Sequence, residues 1–264
     1  MKLSLRFCGL KPISELALIT PAFAIGIPRE RQGLKDVSRP GVLAPGRCLL
    51  LLVLFFLTNL THAQQPKPAF WNDIQNFKKQ DSTHFPGTSK ILFIGSSSFT
   101  NWKDVQDYFP SYPIINRGFG GSALVDQIRY VKDVVFVYKP KQIIIYCGEN
   151  DLASSDTVSA RTVYNRFRQL FNLIRNKFPN VPILYVSMKP SPSRQLLMPK
   201  MREGNALIQK FLKTKKQTGF IDVYKDMIDD EGKPRPELFL DDNLHMNKSG
   251  YAIWKKAIEL YLKK

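Results

Sequence analysis

Two short segments of the sequence carry side chains that could together activate a nucleophile. One is the serine triplet Ser96–Ser98, and the other is the D-x-x-H spacing of Asp242 and His245. A serine hydroxyl attacks an acyl carbon when a histidine removes its proton and a carboxylate orients that histidine. One turn of chain can present Asp242 and His245 to the same place. A D-x-x-H spacing alone is common, but together with the serines it predicts nucleophilic catalysis.

Acyl transfer by a serine also needs hydrogen-bond donors for the oxyanion of its tetrahedral intermediate. The segments 116–121 and 148–151 offer such groups. The candidate donors are the backbone N–H groups of Ser97 and Gly121 and the side-chain amide of Asn150. Glycines also serve simple tight turns, and an asparagine here can instead cap a helix or a turn. From the residues alone both interpretations stay open.

Few cysteine and histidine side chains, the usual zinc ligands, are present after residue 63. They are His84, Cys147 and His245. His84 lies in a polar stretch flanked by proline and glycine, where we expect a solvated loop residue. A zinc site usually needs three or four cysteine or histidine ligands held together, so no metal site is predicted.

Five apolar runs are predicted to be strands. They are continuous and rich in β-branched residues, which is typical of strands buried on both faces of a parallel sheet. The five runs are Lys90 to Gly95, Pro113 to Asn116, Gln142 to Cys147, Pro182 to Ser187 and Phe220 to Tyr224.

Helical patterns alternate with these runs. The clearest is an apolar stripe from Val163 to Phe178, preceded by Asp156 and Thr157 as candidate helix caps. Residues 122–137, 205–212 and 249–262 show similar patterns. The alternation predicts one three-layer α/β/α domain with right-handed crossovers. Ligands bind at the carboxyl ends of such strands, so the polar segments described above should share one rim.

Composition excludes several classes of protein. The chain has 264 residues, 44% of them hydrophobic and 23% charged, which is incompatible with a collagen-like or largely disordered protein. The net charge of +17 is scattered over the chain. Binding of nucleic acid usually needs a basic stripe with stacking aromatic residues, so a nucleic-acid partner is not predicted.

The N-terminal region is predicted to direct export. Arg47, the apolar run Leu49 to Leu57 and the small residues up to Ala63 follow the order of a secretory signal. We therefore expect a leader or misassigned start over 1–46, a signal peptide over 47–63 and one domain over 64–264. The protein would be periplasmic or extracellular, with no membrane span in the mature chain. Cleavage would leave Cys147 as a single thiol.

The four polar blocks, in this order, resemble those of the SGNH (GDSL-like) hydrolases, a branch of serine esterases. The blocks are Ile94 to Ser97, Asn116 to Gly121, Gly148 to Asp151 and Asp242 to His245. The resemblance spans about residues 70–262. The layout is similar to that of platelet-activating-factor acetylhydrolase catalytic subunits and of bacterial carbohydrate acetylesterases.

The resemblance implies a flavodoxin-like sheet of five parallel strands and neither metal nor organic cofactor. It gives Ser97, Asp242 and His245 as the catalytic triad. It gives Ser97, Gly121 and Asn150 as the oxyanion donors. One departure is the serine at position 96, where the family usually has aspartate.

The substrate is predicted to be a small-molecule or carbohydrate ester with a short acyl group, most simply acetyl. Only 148 positions separate Ser97 from His245, which leaves little room for a lid and favours an open cleft. Lys189 and Arg194, after the fourth strand, are candidate substrate contacts, although the prolines around them also suit a rigid loop. We expect a monomer or a small homo-oligomer.

Two other functions are compatible with the same pattern. A serine-rich loop after the first strand could cradle the phosphate of a flavin or a similar ligand, but this gives no reason for the Asp242–His245 pair. The chain could also be a non-catalytic carbohydrate-binding module on a hydrolase scaffold. The complete set of triad and oxyanion residues favours the enzyme.

Overall fold

The predicted apolar runs form one sheet in which every strand is parallel to its neighbours. The computed structural model describes residues 66–264, so the predicted leader and signal peptide lie outside the described residues. The strand order is β2-β1-β3-β4-β5, which confirms the flavodoxin-like prediction. The strands are β1 Ile91–Gly95, β2 Ile114–Gly118, β3 Gln142–Tyr146, β4 Ile183–Val186 and β5 Thr218–Ile221.

The last strand differs from its predicted bounds. It lies over Thr218–Ile221 rather than 220–224, in a register that pairs Val186 of β4 with Ile221. After that pair the Val223 N–H donates to the side-chain oxygen of Ser187, at 3.0 Å. The side-chain oxygen of Ser187 thus replaces a backbone carbonyl as the acceptor, and the hydrogen-bond ladder between β4 and β5 ends after this pair.

Helices cover both faces of the sheet, as predicted for three layers. Residues 122–137 are predicted as one helix but form two short helices and a 3-10 turn. The hydroxyl of Tyr130, at the break, donates to the Ala69 carbonyl at 2.7 Å. The helices are α1 Trp71–Thr83, α2 Ser97–Thr100, α3 Val105–Tyr108, α4 Leu124–Arg129, α5 Val131–Val134, α6 Glu149–Ala153, α7 Ala160–Lys177, α8 Met198–Lys213 and α9 Lys248–Glu259.

The cap of the longest helix also differs from its prediction. Ser159, rather than Asp156 or Thr157, lies at the N-cap of α7, and its hydroxyl accepts the Thr162 N–H at 3.1 Å. An N-cap side chain bonds the N–H group two or three residues ahead, and Asp156 and Thr157 lie too far before the first helical residue for that.

Alternate strand residues enter two separate cores. Leu92 and Ile94 of β1 pack in the core beneath α7 and α8. Ile91 and Phe93 face the opposite core, which contains Trp254 of α9. Burial of both faces explains why the strands read as continuous apolar runs rather than alternating ones. Among residues 66–264 no helix is long and apolar enough to cross a bilayer.

Helix α1, which the sequence patterns did not predict, is fastened to the edge strand β2 by a cluster of polar side chains. Arg117 of β2 pairs with Asp81 at 2.5 Å and donates from Nε to the Tyr138 hydroxyl at 2.6 Å. The Tyr138 hydroxyl in turn donates to the other Asp81 oxygen. The Arg117 guanidinium also lies over the Phe77 ring. These contacts tie three elements together at mostly buried positions.

Replacing Asp81 by alanine should destabilise the fold, because it leaves the guanidinium of Arg117 without its carboxylate. Breaking a fully buried pair costs about 3–5 kcal/mol. Asp81 and Arg117 keep 15% and 11% side-chain exposure, so we expect a loss of roughly 2–3 kcal/mol in the free energy of unfolding, measured by urea denaturation. The control is Asp107→Ala at an exposed carboxylate, and an equal loss there would contradict the assignment.

Candidate active site

The chain leaves β1 through a glycine that no other residue could replace. Gly95 has φ +144°, and a Cβ on it would lie 1.8 Å from the Tyr146 carbonyl oxygen of β3. The same carbonyl accepts the Ser96 N–H at 3.1 Å. This close approach turns the chain at once into α2, so that Ser97 is the first residue of that helix. Ser97 is half-buried at the carboxyl end of the sheet.

The carbonyl of Gly95 also holds the glycine-rich turn that follows β2. It accepts the Phe119 N–H at 2.9 Å, the Ser122 hydroxyl at 3.3 Å and the Gln127 side-chain amide at 3.2 Å. These bonds place residues 119–122 against the start of α2. A Cβ on Gly120 would lie 3.9 Å from the Cβ of Ser97.

Two backbone donors on this rim have no acceptor. Within residues 66–264, neither the Ser97 N–H nor the Gly121 N–H makes a hydrogen bond. Gly121 has φ +81°, a left-handed turn that glycine adopts without strain, and it is exposed. Free N–H groups beside a serine are the arrangement that an oxyanion requires.

The third predicted donor, Asn150, is hydrogen-bonded at both ends of its amide. Its Nδ2 donates to the Ser96 hydroxyl at 2.7 Å and to the Ser122 carbonyl at 3.0 Å. Its Oδ1 accepts from Arg194 Nη2 at 2.7 Å. Asn150 therefore lies beside the turn that carries Ser96 and Ser97, and both N–H groups of its amide already donate hydrogen bonds. The serine that replaces the family's aspartate is one of its partners.

The helix that carries Asn150 is anchored by its next residue. Asp151 is fully buried and accepts the Leu124 N–H at 2.9 Å and Arg166 Nη1 at 2.7 Å. Burial raises the pKa of the Asp151 carboxyl, although these donors oppose the shift. Asp151 thus joins α6 to α4 and α7.

Asp242 and His245 form the hydrogen-bonded pair that the D-x-x-H spacing predicts. Their Oδ2 and Nδ1 atoms are 2.5 Å apart. Asp242 Oδ1 accepts the backbone N–H groups of Leu244 and His245, each at 2.9 Å. The backbone N–H of His245 and its ring hold the pKa of Asp242 at about 2. A carboxylate of this kind orients the imidazole with Nε2 available as the base.

Helix α9, which follows the Asp242–His245 loop, contacts the helix that begins at Ser97. The Tyr251 hydroxyl of α9 donates to the Ser98 carbonyl at 2.9 Å. In the described part of the chain no hydrogen bond joins Ser97 to His245, whose ring nitrogen Nδ1 bonds only Asp242. Hydrogen bonds between nucleophile and base are often long before substrate binds.

The two predicted substrate contacts occupy different positions. Lys189 is 1% exposed, and its Nζ lies 3.3 Å from Glu149 Oε2. Burial lowers the pKa of the Lys189 ammonium. Lys189 is therefore buried against a carboxylate, whereas the predicted substrate contact would have to be exposed at the rim. Arg194 is half-buried on the rim, where it lines a cavity and contacts Asn150.

Two cavities flank this rim, and their lining distinguishes them. One of about 320 Å³ lies between α1 and the end of β2. The other, about 690 Å³, is lined by Leu152, Arg194, Leu196 and Leu197. The second adjoins Asn150 through Arg194, which lines the cavity and bonds the Asn150 amide, and it is the candidate substrate cleft. Leu196 at its edge is 94% exposed.

Sequence patterns missed the long-range contacts that three residues make at this site. Glu149 holds Lys189, Ser96 accepts from Asn150, and Gln127 holds the Gly95 carbonyl. All three act on residues far away in the chain, so no local spacing marks them. In the described part of the chain no three His, Cys, Asp or Glu side chains are arranged to hold a metal ion.

Three solved structures that share this fold are distant from the chain in sequence. A Streptococcus pneumonia protein named after platelet activating factor is 20% identical with a TM-score of 0.65, over 83% of this chain and 100% of that one. A GDSL-like lipase of Bacteroides thetaiotaomicron is 20% identical with a TM-score of 0.60, over 71% and 97%. An acetyl-xylooligosaccharide esterase of Geobacillus stearothermophilus is 15% identical with a TM-score of 0.54, over 67% and 96%.

The fold places the chain in the class of α/β proteins with a parallel, flavodoxin-ordered sheet that includes ester hydrolases. The model of the GDSL-like Lipase/Acylhydrolase family matches residues 83–253, and the chain belongs to that family. The family resemblance of the four polar blocks is thereby confirmed. No curated protein is detectably similar in sequence.

Replacing Asp242 by asparagine should abolish most activity while preserving the loop. The asparagine Oδ1 can still accept the two backbone N–H groups, but its amide donates to Nδ1 and moves the imidazole proton to Nε2. The analogous change in a serine protease lowers kcat about 10⁴-fold, and we expect kcat to fall by roughly 10³-fold or more here. Kinetics with p-nitrophenyl acetate measure it. Asp241→Asn, next in the chain and exposed, is the matched control and should stay near wild type.

The low-pH limb of kcat/KM should reflect a single proton. Because the pKa of Asp242 is lowered to about 2, this carboxylate stays charged above about pH 4. Protonation of the general base is then the one step expected to remove activity as the pH falls. A plot of log kcat/KM against pH should have unit slope on its acid side, and a slope of two in this range would count against the pairing.

Proposed function

We propose that the protein is a serine esterase that cleaves short acyl esters through an acyl-enzyme on Ser97. The observation that carries the proposal is the Asp242–His245 hydrogen bond of 2.5 Å, in the loop before α9, and Tyr251 of α9 bonds the Ser98 carbonyl next to Ser97. The free N–H groups of Ser97 and Gly121 support it. Membership of the acylhydrolase family supports ester hydrolysis in general.

The first half of the reaction forms the acyl-enzyme. His245 Nε2 removes the proton of Ser97, and Ser97 Oγ attacks the ester carbonyl carbon. Asp242 stabilises the imidazolium that results. The N–H groups of Ser97 and Gly121 hold the oxyanion, and Asn150 joins them by exchanging its bond with Ser96 for one with the oxyanion. The alcohol leaves with the proton from His245.

The second half releases the acid. Water gives a proton to His245 and attacks the acyl carbon of the Ser97 ester. The tetrahedral intermediate forms against the same donors, and its collapse returns the proton to Ser97 Oγ. Stabilisation of the same charge in both steps is what allows one set of donors to serve the whole cycle.

We propose acetyl as the preferred acyl group and an acetylated carbohydrate as the substrate class. The acetyl-xylooligosaccharide esterase of Geobacillus stearothermophilus has the same fold. The cleft beside Asn150 is open and has a volume of about 690 Å³, enough for a sugar to lie outside the acyl group. Leu196 and Leu197 in its wall suit the apolar faces of sugar rings.

Ser97→Ala should remove hydrolysis of p-nitrophenyl acetate, with a fall in kcat of about 10⁴-fold or more, because no other hydroxyl takes the nucleophile's place. The wild-type enzyme should lose kcat/KM as the acyl chain lengthens from acetate to butyrate and octanoate. Initial rates with the three esters at equal concentration give this order.

The matched control is Ser98→Ala, which changes the next serine, a buried residue that acts on α9 through its carbonyl. It should retain Ser97 labelling by a fluorophosphonate. Folded wild-type protein with neither turnover nor labelling would refute the esterase proposal and favour a carbohydrate-binding module. A higher rate with octanoate than with acetate would refute the acetyl preference alone.

A further inference from the structure

The amide of Asn150 has an orientation that its neighbours impose. Its Oδ1 faces Arg194 Nη2 at 2.7 Å, and its Nδ2 faces Ser96 Oγ and the Ser122 carbonyl. A guanidinium has five donors and no acceptor, so only the oxygen end of the amide can face Arg194. The Ser122 carbonyl accepts only, so only the nitrogen end can face it.

Arg194 is itself held by a buried carboxylate. Its Nη1 lies 3.6 Å from Glu149 Oε2. Glu149 is 7% exposed, and its Oε1 accepts the Lys189 backbone N–H at 3.0 Å. The Lys189 ammonium lies against Oε2 as well, at 3.3 Å. Two cations thus share one buried carboxylate, and the outer one reaches the Asn150 amide.

The turn that carries Arg194 is also tied to the Asp242–His245 loop. The Ser193 N–H donates to the Asn243 carbonyl at 3.0 Å, and Asn243 lies between Asp242 and His245. The 3-10 turn Pro192–Leu197 therefore connects the oxyanion side of the rim to the acid–base side. Arg194 is the residue of this turn that bonds a predicted oxyanion donor.

We propose that Arg194 is a positioning residue that orients and polarises the Asn150 amide for oxyanion binding. The inference rests on the proposed esterase function. A cation hydrogen-bonded to Oδ1 withdraws electron density from the amide and strengthens its Nδ2–H as a donor. It also fixes the oxygen end of the amide before the oxyanion forms, so that only the Nδ2 bond to Ser96 has to be exchanged during the reaction. Arg194 acts through Asn150 and has no separate contact with the reacting atoms.

A double-mutant cycle separates this role from the others. Arg194→Met should lower kcat for p-nitrophenyl acetate by about 10–100-fold, less than the 10²–10³-fold typical of losing an oxyanion donor, with KM within about threefold of wild type. In an Asn150→Ala background the same change should have little further effect. Arg194→Lys should recover part of kcat, because it restores the charge but not the planar fork.

The control is Lys210→Met, which removes a cation at an exposed position of α8 that lines neither cavity beside the rim and should leave kcat unchanged. If KM rises in Arg194→Met, and the kcat losses of Arg194→Met and Asn150→Ala multiply in the double mutant, Arg194 is instead a direct substrate contact. Multiplicative losses accompanied by a lower melting temperature would make it a structural residue. Either result overturns the proposal.

A second measurement does not depend on turnover. The side-chain NH₂ resonances of Asn150, assigned by their absence in Asn150→Ala, should shift in Arg194→Met because the amide loses its cation. Unchanged resonances would refute the positioning role whether or not the protein is an esterase. If the wild type lacks Ser97-dependent turnover but the resonances shift, the proposed function fails while the contact between Arg194 and the amide stands.

Discussion

The close passage of Gly95 over β3 is the constraint on which the rest of the site depends. No side chain fits where a Cβ would lie 1.8 Å from the Tyr146 carbonyl, and that carbonyl bonds the next N–H group instead. The nucleophile turn is therefore built on backbone groups of the sheet. The Gly95 carbonyl, freed by the same turn, gathers three donors from residues 119–127. One glycine thus fixes both the predicted nucleophile and the loop of the predicted oxyanion donors.

Charge on the rim is arranged in two separate groups. Asp242 is nearly half exposed and bonds His245 and two backbone N–H groups, so its charge is stabilised locally without burial. Glu149 is buried and is neutralised by Lys189 and Arg194. A buried carboxylate needs paired cations, because charge in the interior is costly to desolvate. The Asp242–His245 pair is accessible from solvent, while the Glu149 carboxylate holds the side chains of Lys189 and Arg194 in place.

The sequence predicted the parts of the fold and site that depend on neighbouring residues. Continuous β-branched runs predicted five strands of a parallel sheet, the family resemblance implied their flavodoxin-like arrangement, and the three-residue spacing of Asp242 and His245 predicted their contact. The Asn150 amide was different, since Ser96 and Arg194 lie 54 and 44 positions from it in the chain. Contacts of that range depend on how the strand ends converge. Lys189 was predicted as a substrate contact from its place after the fourth strand, and its buried partner Glu149, 40 positions away, could not be read from local spacing.

Residues that precede the family match, in and just before helix α1, contact the candidate site and the edge strand. The family match starts at residue 83, the last residue of α1, yet the Phe70 ring packs on Phe119 and lies 3.8 Å from where a Gly121 Cβ would be. The turn that carries the predicted oxyanion donor Gly121 is thus supported by chain that precedes the region matched by the family model. A fragment cut at the family boundary would lack Phe70 and Asp81, leaving Gly121 without its aromatic support and Arg117 without its counter-ion. Boundaries for dissecting this enzyme must be drawn from the contacts of α1 rather than from the extent of the family.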